Sequence, residues 1–246
     1  MKKILSLSIL MVSTLLSFSQ DNKYQPTNSG QVVKHNNFIL SYVEKYEGAE
    51  WVCYELTYPE LKNNVDRKTG NFIYDPSVST GSAYHEDYTN SGYDRGHLAP
   101  AGDMNFDLDA MLESFYMSNV IPQTPELNRK TWKYLEDDIR EYVARHKTPL
   151  YIITGEIIMD STKYIGYETK IAVPTYCYKI VYDDINNKVT AFLMPNIKNI
   201  NRDYFKYVVS IDNIEEYLNV NFFSNIPKDR EIKLESNINE INFLLN

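Results

Sequence analysis

Tyr93-Asp94-Arg95-Gly96-His97-Leu98-Ala99-Pro100, with Asn128, Trp132, Glu136 and Arg140 further downstream, is the material on which the reading of this chain turns. The four downstream residues recur every fourth position. On an α-helix each such step advances the side chain by only about 40°. Asn128, Glu136 and Arg140 therefore fall on one stripe about 120° wide. A stripe carrying an amide, a carboxylate and a guanidinium is not a core face. Helix composition alone also fits a solvated face with an incidental Glu136–Arg140 pair. The helix is predicted to open at Thr124 as its cap, with Pro125 in the first turn and Glu126 at the positive end of the dipole. It should run to about His146-Lys147, where basic residues suit the negative end and Pro149 stops it.

His97 turns the balance toward chemistry. Gly96 before it lets the backbone approach a ligand closely, and Arg95 offers a bidentate grip on phosphate. A neutral imidazole with a pKa near 6.5 can act as general base toward water. The four histidines (35, 85, 97 and 146) show no ligand spacing and the cysteines are isolated, which argues against zinc. An oxygen-donor site with few protein ligands matches Mg2+, which keeps most of its waters. The expectation is a metal-assisted site for cleaving phosphodiesters.

Outward from this stretch, Met1-Lys2-Lys3 followed by the apolar run Ile4 to Leu16 and Ser17-Phe18-Ser19 predicts a secretory signal peptide over 1–19. The mature chain is then expected outside the cytoplasm, secreted or periplasmic, with no membrane anchor. Losing Lys2 and Lys3 takes the formal charge from −8 to −10. That acidity counts against a simple nucleic-acid-binding module but not against an enzyme that gathers a few cations at one site. Cys53 and Cys177 both sit in strand-like runs, where a disulfide and two buried thiols are equally open readings.

Residues 20–36 read as a flexible polar tether, leaving 37–246 as one domain. Phe38–Val43 and Ala49–Thr57 look like paired strands. Residues 58–92 and 98–106 read as loop, Asp107–Leu112 as a short capped helix, and Phe115–Ile121 as a strand ended by Pro122. Leu150–Gly155, Thr175–Tyr182 and Val189–Met194 are further strands, the last two joined at Asn186-Asn187. Helices are expected over Ile211–Val220 and along Leu234, Ile238, Ile241 and Leu245. Without a regular βαβ alternation this is an α+β fold with a mixed or antiparallel central sheet.

Asp94-Arg95-Gly96-His97 resembles the DRGH signature of the DNA/RNA non-specific endonucleases, the ββα-metal (His-Me finger) nucleases that include endonuclease G. Ser91-Gly92-Tyr93 before it and Leu98-Ala99-Pro100 after it fit that family. Asn119-Val120-Ile121-Pro122-Gln123 is similar to its N-I-x-P-Q segment, and Leu127-Asn128, Trp132 and Leu135-Glu136 to its L-N…W…L-E helix. The resemblance implies that His97 is the general base and Asn128 the direct ligand of Mg2+, for which Mn2+ can substitute. Glu136 would reach the metal through water, and Arg95 and Arg140 would stabilise charge on the phosphoryl oxygens. Asp94 and Asn119 are assigned as supports, Asp94 orienting Arg95 or the local backbone. Arg95, Arg129, Lys130 and Lys133 are assigned to substrate binding. The implied activity is hydrolysis of DNA and RNA to 5′-phosphate ends. Where the family often carries an arginine before an Asn-aromatic pair, this chain has Gly70-Asn71-Phe72, with Arg67 and Lys68 as possible substitutes. The competing functions are a non-catalytic nucleic-acid-binding protein on the same fold and a phosphodiesterase for small nucleotides.

Overall fold

The computed structural model describes residues 24–160 and 162–236. The segment 1–19, read from sequence as a signal peptide, and the expected helix positions Ile238, Ile241 and Leu245 lie outside them. Seven strands form one sheet in the order β1 (Gln31–Lys34), β2 (Ile39–Val43), β3 (Gly48–Leu56), β6 (Leu150–Ile157), β9 (Tyr176–Asp183), β10 (Lys188–Pro195) and β11 (Val208–Val209). Every neighbouring pair in it is antiparallel. Two small antiparallel pairs stand apart, β4 (Asp94–His97) with β5 (Val120–Gln123) and β7 (Tyr164–Ile165) with β8 (Ile171–Ala172). The α+β expectation holds, with the large sheet wholly antiparallel.

The alternation of side chains along the strands divides the core into two layers. On one face Val52, Tyr54, Ile152, Val181 and Phe192 pack with Trp132, just before helix α2 (Lys133–His146), and with Leu135, Ile139 and Val143 within it. Each of these helix residues is essentially fully buried, and such a side chain contributes about 1.5–3 kcal/mol by leaving water. On the other face Trp51, Ile153, Ile180 and Val189 meet Ile211 and Ile214 of helix α3 (Ile211–Glu215) and Leu234 of helix α4 (Lys228–Glu235). Helix α1 (Leu108–Ser114) opens as expected, Asp107 accepting from the Asp109 and Ala110 amides.

Several expectations need correction. The stretch read as a tether to residue 36 is structural from Tyr24 onward. Tyr24 is buried against Tyr151 and Tyr182, the Thr27 carbonyl accepts from the Trp51 indole at 2.9 Å, and Gln31–Lys34 is the edge strand of the sheet. The strand expected over Phe115–Ile121 begins only at Val120, after a 3-10 turn at Met117–Asn119. It runs through Pro122, whose missing N–H is tolerated on this short pair. The helix expected over Ile211–Val220 spans Ile211–Glu215. The cysteines are free: Cys53 packs with one core layer and Cys177 lies in the other, so the sheet separates them.

The expected long helix is present but opens differently. Leu127–Trp132 is wound as a π-helix and Lys133–His146 as an α-helix. Thr124 does not cap with its side chain, because its hydroxyl donates to the Ile197 carbonyl at 3.2 Å. Closing i→i+5 turns the chain less per residue than α winding. Asn128 therefore lies closer in line with Glu136 than the roughly 80° that eight α-helical residues would give.

Candidate active site

β4 and β5 run antiparallel, with Asp94 opposite Gln123 and His97 opposite Val120, and the chain then enters the π/α helix. This ββα unit puts six of the sequence-predicted residues around one cleft of about 460 Å³. Its lining includes His97, Asn128, Arg129, Lys133, Glu136 and Arg140, together with Arg67 and Gly102.

His97 ends β4 and is held edge-on to Phe115 (ring centroids 4.8 Å apart) and tilted on Phe72 (5.2 Å). Its Nε2 is buried and has no hydrogen-bond partner among the described residues. Burial, reinforced by the nearby Arg67 charge, pushes the imidazole down to about 3, so it is neutral throughout the physiological range. A neutral ring with a free nitrogen is the state a general base requires. Asn119 supports it indirectly: its Oδ1 accepts from the Ala99 amide at 2.9 Å, and its Nδ2 donates to the Ala99 and Ser114 carbonyls.

Across the cleft, Asn128 donates its amide nitrogen to Asp94 at 3.0 Å. That leaves the carbonyl oxygen as the group it can offer a ligand. Asp94 also grips Arg129 through Nε at 2.7 Å and Nη2 at 2.6 Å. Burial would raise the Asp94 carboxyl, but the hydrogen bonds from Arg129 and Asn128 outweigh it and hold the group below the usual carboxylate range. Asp94 therefore orients Asn128 and Arg129, where the sequence suggested Arg95 or the local backbone.

Glu136 is pushed up to about 7 by burial. The buried Lys179 ammonium opposes that shift, lying 4.8 Å from the Trp132 ring with no hydrogen-bond acceptor among the described residues. Arg140 reaches the cleft but is held by Asp103 at 2.6 Å and Asp137 at 2.6 Å, and Lys133 pairs with Asp137.

Two predicted substrate contacts stand away from this cleft. Arg95 donates to the His85 carbonyl and lies over Phe72 and Tyr88, 5.6 Å from each ring. Neither it nor Lys130 is among the lining side chains. Gly96 also has a different role from the one expected. A Cβ there would stand 2.2 Å from the buried Gln123 Oε1, so glycine admits Gln123 under β4. Gly96→Ala is expected to cost about 1–3 kcal/mol as an overpacking change, read as a lower urea midpoint with an unchanged slope.

With this geometry in hand, the model of the DNA/RNA non-specific endonucleases matches residues 19–229. The chain belongs to that family. Nuclease EXOG of mouse mitochondria is 31% identical over 225 residues, covering 85% of this chain and 61% of its own length. A nuclease of a Nostoc species is 31% identical over 246 residues, covering 95% and 87%. Human mitochondrial endonuclease G is 31% identical over 221 residues, covering 83% and 73%. The chain thus spans about three fifths of the mouse EXOG relative. Among solved structures, the crystal structure of the EndoG/EndoGI complex holds a chain with a TM-score of 0.72 at 30% identity, covering 82% of this chain and 89% of that one.

Arg67 is the residue that family likeness left open and the geometry brings in. In this chain a Cβ on Gly70 would stand 2.2 Å from the Phe115 ring, which leaves no room for a longer side chain there. Arg67, from the 3-10 turn capped by Asp66, lies 5.3 Å from that same ring and lines the cleft beside His97. It has no carboxylate partner within salt-bridge distance among the described residues. Spacing alone could not find it, because the rings of Phe72 and Phe115 decide which upstream position reaches the cleft.

Proposed function

We propose that this protein is a Mg2+-dependent endonuclease, with Mn2+ as a working substitute, that hydrolyses DNA and RNA without regard to the sugar and leaves 5′-phosphate ends. The observation that carries this is the neutral, unpartnered Nε2 of His97 sharing one cleft with Asn128 and Glu136. His97 takes the proton from the attacking water. Arg67 holds a non-bridging phosphate oxygen beside it, and Arg140 adds fixed positive charge while Asp103 and Asp137 keep its guanidinium oriented.

The donor set fits a hard cation. Asp94 occupies the Asn128 amide nitrogen, so the carbonyl oxygen remains for a direct bond, and the Glu136 carboxylate can accept from a metal-bound water. When bound, Mg2+ supplies charge neutralisation at the scissile phosphate and its leaving oxygen.

Phosphate contacts carry no base information, so a site built on Arg67, Arg129 and Lys133 tolerates many sequences. These cations meet the substrate although the chain as a whole is acidic. Release outside the cytoplasm, secreted or periplasmic, is part of the same proposal and rests on the basic start and apolar run of residues 1–16. No helix of the described residues is long and apolar enough to cross a membrane.

Nicking of supercoiled plasmid with Mg2+ and with EDTA tests the reading. Cleavage that EDTA leaves untouched contradicts the metal, and binding without cleavage favours the non-catalytic alternative. Equal rates on a dinucleotide and on long duplex DNA favour a small-nucleotide phosphodiesterase. Asp94→Ala should raise the Mg2+ concentration needed for half-maximal cleavage by about 10–100-fold, as loss of an outer hydrogen-bonding partner does. An unchanged metal titration would remove Asp94 from that role.

A further inference from the structure

On the side of the sheet opposite the cleft, helices α3 and α4 bring carboxylates together. One oxygen each from Asp212, Glu215 and Glu235 lie within 4.8 Å of one another. Asp212 and Glu215 are one turn apart on α3, and Glu235 approaches from the last turn of α4. Ile211, Ile214 and Leu234, which carry these helices, belong to the core layer that α2 does not touch.

Proximity of acidic groups is common on surfaces, but Glu235 is not on the surface. It is 5% exposed, and its Oε1 is enclosed with no hydrogen-bond partner among the described residues. Neighbouring groups do not supply the missing charge. Glu231, one turn before Glu235 and also buried, has its Oε1 2.7 Å from Lys228 Nζ, and Glu215 Oε1 accepts the Phe222 amide at 2.7 Å. Four carboxylates thus gather around one ammonium, and that ammonium is already bonded. A buried carboxylate left without a donor is costly, and close like charges add to the cost. Burial first, then Glu215 and Glu231, push the Glu235 carboxyl up to about 8, so the cluster either holds protons or holds a cation.

We propose that Asp212, Glu215 and Glu235 form a divalent-cation site, best suited to Ca2+, that clamps α3 to α4. All the donors are oxygens and none is nitrogen or sulfur, which selects hard cations. Ca2+ accepts six to eight oxygens in irregular arrangements and takes carboxylates in one- or two-oxygen fashion, whereas Mg2+ demands a regular octahedron. Asp212 is exposed, Glu215 half-buried and Glu235 buried, so the ion has a way in from solvent and a buried anchor. The site is structural and separate from the cleft.

The test is thermal unfolding of the purified, EDTA-treated and dialysed protein at pH 7.5, titrated with CaCl2, for the wild type and for Glu235→Gln, Asp212→Asn and Asn128→Ala. The wild type and Asn128→Ala should gain several degrees in Tm on adding Ca2+. Glu235→Gln and Asp212→Asn should lose most of that gain. Without Ca2+, Glu235→Gln should melt no lower than the wild type, because an amide of the same shape replaces a carboxyl that burial and its acidic neighbours already hold largely neutral, so its lost response cannot be put down to misfolding. Mg2+-dependent plasmid nicking by Glu235→Gln should be unchanged. No Ca2+ response in the wild type overturns the proposal in favour of a protonated Glu235. An equal response in wild type and Glu235→Gln, or a response lost in Asn128→Ala, overturns it by locating the ion elsewhere.

Discussion

His97→Ala is expected to lower phosphodiester cleavage by about 10²–10⁴-fold, the range a positioned general base supplies, while the protein stays folded. The imidazole packs against Phe72 and Phe115, which also touch each other, and makes no hydrogen bond through Nε2 among the described residues. Its loss therefore removes packing and a proton acceptor but breaks no polar network. Circular dichroism and Tm close to wild type would separate lost chemistry from lost structure. Because burial holds the imidazole neutral down to about 3, the wild-type rate should show no His97 limb near 6.5 in its pH profile. A clear limb there, absent from the variant, would mean the ring is more solvated than the structure has it.

Asn128→Ala should reduce activity by more than the about 10–100-fold typical of losing an outer partner of a metal site, since it removes the proposed direct ligand and leaves the Asp94 carboxylate short of one donor. Glu136→Ala should act less completely. The two variants also differ in their dependence on pH. Burial raises Glu136 to about 7, so its carboxyl is largely neutral below that value and ionised above it. A cation must displace that proton. The wild-type Mg2+ requirement should therefore rise as pH falls through about 7, and Glu136→Ala should flatten the trend. Metal titrations of the nicking rate at several pH values measure this directly. A wild-type requirement independent of pH would detach Glu136 from the metal.

Much of this was legible in the residues because it depends on short-range order. A turn residue, a strand end and a helix stripe are local, so His97, Asn128, Glu136 and Arg140 could be read from spacing and do line one cleft. What could not be read depends on partners distant in the chain. Asp94 was expected to serve Arg95 or the backbone next to it, but it meets Asn128 and Arg129 more than thirty positions away. Arg95 is turned aside by the His85 carbonyl, and Arg67 is brought in by the Phe115 ring. The segment from Tyr24 to Lys34 looked like a tether because its polar composition gives no alternation, yet Tyr24 and β1 are fastened by rings and carboxylates of the opposite sheet face and edge. The π winding of Leu127–Trp132 leaves no mark in a periodicity that fits α-helix almost as well.

The most direct test of the central claim, that the His97 imidazole is the base of this cleft, is plasmid nicking by His97→Ala in Mg2+ with and without added imidazole. The space the imidazole would leave beside Phe72 and Phe115 lies on the cleft and would admit the free ring. The predicted result is a variant whose nicking, lowered by about 10²–10⁴-fold, is partly regained as imidazole is added. Undiminished nicking by His97→Ala in the absence of imidazole would contradict the account.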